Sequence, residues 1–186
     1  MSSSFLKSSL LQFRYYKELG EKTIEQVPGT KLSFQINDET NSINTIVKHL
    51  SGNMVSRWTD FLNSNGEKEF RNRDDEFNDT IESKKELIEI WEQGWKVLFD
   101  TLEGLSFQDL EKINYIRNEG HTVIESINRQ LCHYSYHVGQ IVMIGKMVCG
   151  KKRKPLSIPK GESTKFNHKK FSINKRRRHF LEGEKE

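Results

Sequence analysis

Cysteine, proline and long apolar runs are all scarce in this chain of 186 residues. The two cysteines, Cys132 and Cys149, fall 17 positions apart on what reads as one helix. They are too distant there to bridge each other, so free thiols in a reducing cytoplasm are expected. The longest stretch without a charged residue, Gln130 to Gly145, is shorter than the roughly 20 apolar residues of a membrane span and contains two histidines and two tyrosines, so no spanning helix is expected. Met1 to Phe13 lacks a basic stretch followed by an apolar block and a small-residue cleavage site, and no secretory signal is expected. The three prolines fall at Pro28, where a helical run closes, and at Pro155 and Pro159, where the chain changes character.

What remains is 34% hydrophobic and 30% charged, with 10% aromatic, enough apolar content for one core and too much for wholesale disorder. The net charge of +4 is unevenly spread. Residues 1–149 carry 17 Lys and Arg against 22 Asp and Glu, while residues 150–186 carry 13 against 4. An acidic body with a basic tail confines any nucleic-acid reading to the tail. The tail offers only Phe166, Phe171 and Phe180 as aromatics and no interleaved stacking platform, so nucleic acid is a disfavoured partner.

Four segments show helical periodicity. Leu6, Leu10, Phe13, Gly20, Ile24 and Val27 define the first, closed by Pro28-Gly29. The second begins after Asn37-Asp38, with either residue or Asn41 as cap, and places Ile43, Ile46, Val47, Leu50, Met54, Trp58, Phe61 and Leu62 on one face before ending at Asn63 to Gly66. Glu67 to Asp79 is polar and charge-dense, which predicts a long crossover loop rather than a packed element. The third helix opens near Asp79-Thr80, stops around Gly104 and carries Trp91 and Trp95 as core anchors. Phe107 to Thr122 reads as a connector with a short helix at Phe107 to Lys112 and a turn at Asn118-Glu119-Gly120. The fourth helix runs from Thr122 or Val123 to about Val148, with Gly150 as stop. The expectation is all-α: a four-helix bundle with one long crossover connection over residues 1–150, a segment packed on it over 151–168, and a basic mobile tail over 169–186.

The chemistry-bearing residues are histidines. His133 and His137, four apart on the fourth helix, leave the same face and can meet on one metal ion, although such a pair is also found packed or solvated without one. The glutamate of a metalloprotease motif is absent, because Tyr134 and Ser135 fill the intervening positions. His49, beside core-facing Leu50 on the second helix, either completes a three-nitrogen facial set that leaves positions open on a divalent metal or is a core-edge histidine bonded to a carbonyl. Helix spacing puts Gln130 and Gln140 on the face of the histidine pair, and Asn53 and Arg57 on the face of His49. Arg57 suits either a ligand carboxylate or a salt bridge to Asp60 or the following loop. Tyr134 and Tyr136 read as packing residues, Cys132 as a buried inert thiol, His121 as a capping or loop residue, and His168 and His179 as solvent-facing.

Several blocks carry a family resemblance. Gly52-Asn53-Met54-Val55-Ser56-Arg57-Trp58-Thr59-Asp60-Phe61-Leu62 after His49, then Gly66-Glu67-Lys68, Arg71-Asn72-Arg73-Asp74-Asp75-Glu76-Phe77 and Gly94-Trp95 are four of them. Asn128-Arg129-Gln130-Leu131, His133-Tyr134-Ser135-Tyr136-His137-Val138-Gly139-Gln140-Ile141, Leu156-Ser157-Ile158-Pro159-Lys160-Gly161 and Phe166-Asn167 are the others. The chain resembles an uncharacterised subfamily of the DinB-like superfamily over nearly its whole length. The resemblance implies a four-helix bundle with a divalent metal held by His49, His133 and His137. Members of the wider superfamily include bacillithiol and related thiol S-transferases and a mycothiol-dependent maleylpyruvate isomerase, and many form homodimers. The expected function is a Zn, Ni or Fe protein, a metal-dependent transferase joining a low-molecular-weight thiol to a small electrophile. The alternative is a structural or regulatory bundle whose metal only ties the second and fourth helices together.

Overall fold

The first periodic run folds as α1, Ser2–Gln26, and ends just before Pro28. The second folds as α2, Ile43–Trp58, later and shorter than predicted. Its cap is Ser42 rather than Asn37, Asp38 or Asn41: the Ser42 hydroxyl accepts from the Thr45 amide, and the Ser42 amide donates to the Thr45 hydroxyl. The helix stops at Trp58, where Thr59 turns extended with a ψ of 127°, and Asp60 then takes a left-handed φ of 47°, so Phe61 and Leu62 belong to a turn. The third, α3, spans Lys84–Gly104 and is capped by Ser83, not Asp79-Thr80. Asp79 instead reaches back to the start of α2, accepting from the Asn44 amide at 2.9 Å and the Ser42 hydroxyl at 3.2 Å.

The connector after α3 contains a 3-10 turn at Phe107–Glu111 and then a hairpin that periodicity did not reveal. Its strands β1, Ile113–Ile116, and β2, Glu119–Thr122, pair antiparallel with Ile113 opposite Thr122 and Ile116 opposite Glu119. The turn lies at Arg117-Asn118, both with positive φ, one step before the predicted Asn118-Glu119-Gly120. Thr122 then caps α4, Val123–Cys149, through a reciprocal box with Glu125, and Gly150 ends it at a φ of 53°. A fifth helix, α5, spans Ser163–Phe171. This computed structural model describes residues 2–182; among them the chain is mostly helical, and no helix is long and apolar enough to cross a membrane.

Side-chain contacts fix the helix directions. Gly94 lies against Ser51, and the Thr101 hydroxyl donates to the Trp58 carbonyl, so α2 and α3 run the same way side by side. The 25 residues between them therefore return along the length of α2. By the same reasoning α1 and α4 run together, through Phe13 with Tyr134 and Thr23 with Gly145, while α4 opposes α2, since Ile46 shares a pocket wall with Ile144 and Arg57 one with Arg129. One core lies among the four long helices, with Phe13, Leu50, Trp58, Trp91, Trp95 and Tyr134 each at most 2% exposed. Gly94 lets α2 and α3 approach: a Cβ there would fall 2.8 Å from the Ser51 Cα.

Lys154 donates its amide to Gln26 on α1, and Arg153 and Leu156 are half-buried, but 157–177 is exposed throughout and α5 has no buried residue, so within 151–168 contact with the body is confined to the first few residues. Contact resumes further on, where His179 bonds Ser8 at 2.9 Å and Glu182 pairs with Lys7 at 2.7 Å. A row of positive charge and few apolar side chains gives α5 nothing to bury. The last residues of the predicted mobile tail, 183–186, lie outside the described residues.

Candidate metal centre

The antiparallel pass of α2 against α4 brings His49, His133 and His137 together. The His133 Nε2 lies 3.2 Å from the His49 Nε2 and 3.1 Å from the His137 Nε2. Two nitrogens each about 2.05 Å from one zinc would be about 2.9 Å apart at a right angle and about 3.35 Å apart at the tetrahedral angle. The observed separations lie between these limits.

The far nitrogens of two rings are already engaged. The His49 Nδ1 donates to the Glu76 carboxylate at 2.9 Å, and the His137 Nδ1 donates to the Gln140 side-chain oxygen at 2.9 Å. A carboxylate can only accept, so the His49 Nδ1 carries a proton and Nε2 is the nitrogen turned into the cluster. The Gln140 contact leaves His137 in the same state. His133 has one proton when neutral and can satisfy at most one of its two close Nε2 neighbours. Burial, then the neighbouring His137 and His49, push His133 down to about 3, and burial pushes His137 down to about 4 despite its bond to Gln140. At neutral pH His133 and His137 are therefore uncharged and the three Nε2 atoms converge, an arrangement that a shared cation completes. The donor set fits a divalent transition metal, and the three histidines could hold one.

Glu76 is the residue that sequence reasoning missed. It sits in a 3-10 turn, Asp75–Phe77, within the stretch predicted to be only a crossover loop, yet it is 6% exposed. Arg71 clamps it with Nε on Oε1 at 2.7 Å and Nη2 on Oε2 at 2.9 Å. Burial works to raise the Glu76 carboxyl, but bonds from His49 and Arg71 outweigh it and hold the group below the usual range, so it stays ionised. Gly52 makes room for it: a Cβ at that position would lie 2.9 Å from the Glu76 carboxylate carbon and closer still to Oε1. The Phe77 ring stacks on His49 at 5.1 Å between centroids.

The other predicted residues are placed as follows. Gln130 is 3% exposed and lines the cavity beside the histidines, with its side-chain oxygen unpartnered. Asn53 also lines it and accepts from the Tyr134 hydroxyl, which in turn accepts from the Trp58 indole N–H, both at 3.0 Å. Tyr134 is thus wholly buried in a tie between α2 and α4, and burial raises its phenol away from any role as an acid. Arg57 does not meet Asp60: it donates to the Gly66 carbonyl at 2.6 Å and pairs with Glu67 at 3.4 Å. Three smaller expectations fail. Cys132 is exposed rather than buried, Tyr136 is 62% exposed rather than packed, and His179 meets Ser8 rather than solvent. A side chain 100° from the histidine row on α4 points off the core as easily as into it.

Neither a search of curated proteins nor a search of solved structures finds a match for this chain. The sequence model of DUF1572, a family of proteins of unknown function, matches residues 1–162, and the chain belongs to that family.

Proposed function

We propose that this chain is a DinB-like four-helix bundle that holds Zn, Ni or Fe through His49, His133 and His137 and transfers a small thiol to an electrophile in a reducing cytoplasm. The observation that carries the reading is the convergence of three Nε2 atoms whose rings are oriented from behind by Glu76 and Gln140. The order and direction of the four long helices, with a long return between α2 and α3, support the bundle. A bound divalent cation supplies Lewis acidity that lets a thiol ionise at neutral pH. The chain's own contribution is to hold three imidazoles in place, to bury them, and to leave one side open. The group of potential ligands among the described residues has three members, whereas a purely structural zinc site is closed by four protein ligands. That count favours the catalytic reading over a metal that merely ties α2 to α4. A homodimer, as in many DinB-like proteins, belongs to this reading.

Metal analysis of tag-free protein tests it, together with thiol consumption in the presence of an activated aryl halide. One metal per chain, lost in His49→Ala along with turnover, is the expected result. Stoichiometric metal without turnover of any thiol would leave the tie between helices as the function, and absence of metal would end both readings. Size-exclusion chromatography with light scattering checks the dimer.

A further inference from the structure

The first 149 residues contain six arginines, and five of them, Arg57, Arg71, Arg73, Arg117 and Arg129, line the one cavity that also holds the three histidines. They arrive from four places in the chain: α2, the crossover, the hairpin turn and α4. None of the eleven lysines of that region lines it, and neither does any aspartate or glutamate. In a body with an excess of acidic residues this is a concentrated reversal of sign. The cavity measures about 390 Å³, room for a small molecule rather than a chain.

Two carboxylates stand behind this lining. Glu67 pairs with Arg57, Arg71 and Arg117, and Glu76 pairs with Arg71. Five guanidinium groups against two carboxylates leave a surplus of three positive charges before any metal is counted. Arg73 lies over the Phe77 ring, and Arg129 reaches His121; neither has a carboxylate partner among the described residues. Arg57 is 6% exposed, yet its Nε has no hydrogen-bond partner. The unpartnered Gln130 oxygen adds a buried acceptor on the same wall. The buried Arg57 donor without a partner costs free energy unless an acceptor brought into the cavity completes it.

We infer that the cavity binds a small, multiply anionic ligand whose carboxylate or phosphate oxygens are taken by Arg57, Arg73 and Arg129. Arginine in place of lysine fits this class, because the planar guanidinium meets an oxyanion with two parallel N–H bonds. The inference rests on the metal-centre reading for the location of the site, but its charge argument does not require a metal.

Calorimetric titration of the full chain, as purified and after metal loading, tests it with four probes: succinate, phosphoglycolate, acetate and uncharged succinamide. Succinate or phosphoglycolate should bind more tightly than acetate, and succinamide should not bind; the order of the first two tells carboxylate from phosphate recognition. Arg129→Gln and Arg73→Gln, which break no ion pair with a carboxylate, should each weaken the favoured dianion by about tenfold and leave metal content unchanged. Binding equal in wild type and both variants, or no dianion binding by metal-loaded protein, overturns the inference. Dianion binding that is lost with the arginines in a protein that takes up no metal would sustain it while the metal reading fails.

Discussion

Gly52→Ala changes no histidine and lies in no ligand position, yet it should weaken metal binding. The added Cβ would sit 2.9 Å from the Glu76 carboxylate carbon and closer still to Oε1, and carbon atoms prefer about 3.5 Å, so the side chain must recede by at least about 0.6 Å. That movement takes the 2.9 Å bond from the His49 Nδ1 to about 3.5 Å, the limit of a hydrogen bond. A bond to an ionised carboxylate contributes about 1.5 to 3 kcal/mol, so losing it should lower metal affinity by about 10- to 100-fold. Replacing glycine by alanine inside α2 should by itself favour the helix by about 1 kcal/mol, so the fold should survive and the two effects have opposite signs. Gly139→Ala is the control, because a Cβ there meets nothing within 4 Å although it lies between His137 and Gln140. The assay is competition with a chromogenic chelator at neutral pH, alongside urea unfolding of the metal-free proteins. Equal affinity in Gly52→Ala and wild type would refute the claim that Glu76 orients His49.

Other perturbations follow from the same contacts. In metal-free protein the folded pKa values of His133 and His137, about 3 and about 4, lie below the ordinary value of 6.5, so the unfolded chain binds more protons through that window. Stability should therefore fall as pH drops from 6.5 toward 4, by about 1 to 2 kcal/mol per ring at pH 5 after allowance for solvent screening, and a His133→Gln, His137→Gln variant should flatten the urea midpoint against pH. Chelation should lower the thermal midpoint of wild type but not of His49→Ala, since a metal at about 100 times its Kd adds about 2.7 kcal/mol. Gly94→Ala should cost about 1 to 3 kcal/mol in urea unfolding, because its Cβ meets Ser51 backbone that cannot swing aside. Tyr134→Phe should cost a similar amount, about 1 to 3 kcal/mol, by stranding the Trp58 indole N–H and the Asn53 oxygen.

Local signals in the sequence were enough to locate the four long helices, the stop at Gly150 and the two tryptophans of the core, because a 3.6-residue repeat and its caps are written within a few neighbouring positions. The shared face of His133 and His137 was legible for the same reason. Helix ends were less so: Ser42 and Ser83 took the capping roles because their hydroxyls reach amides three residues on, and nothing in composition ranks them above Asn41 or Asp79.

Which residues could ligate, and on which helices they lie, was written in short-range spacing. That His49 joins the pair on α4 follows from packing, since it depends on which stretch of α2 lies against α4. Glu76 is 27 positions from His49, in a stretch whose polarity looked like solvent exposure, and it is buried because Arg71 pairs with its charge and His49 donates to it. The five arginines are spread over 73 positions, from 57 to 129, and read singly as surface charge. Their convergence on one cavity is set by long-range packing, which no local pattern encodes.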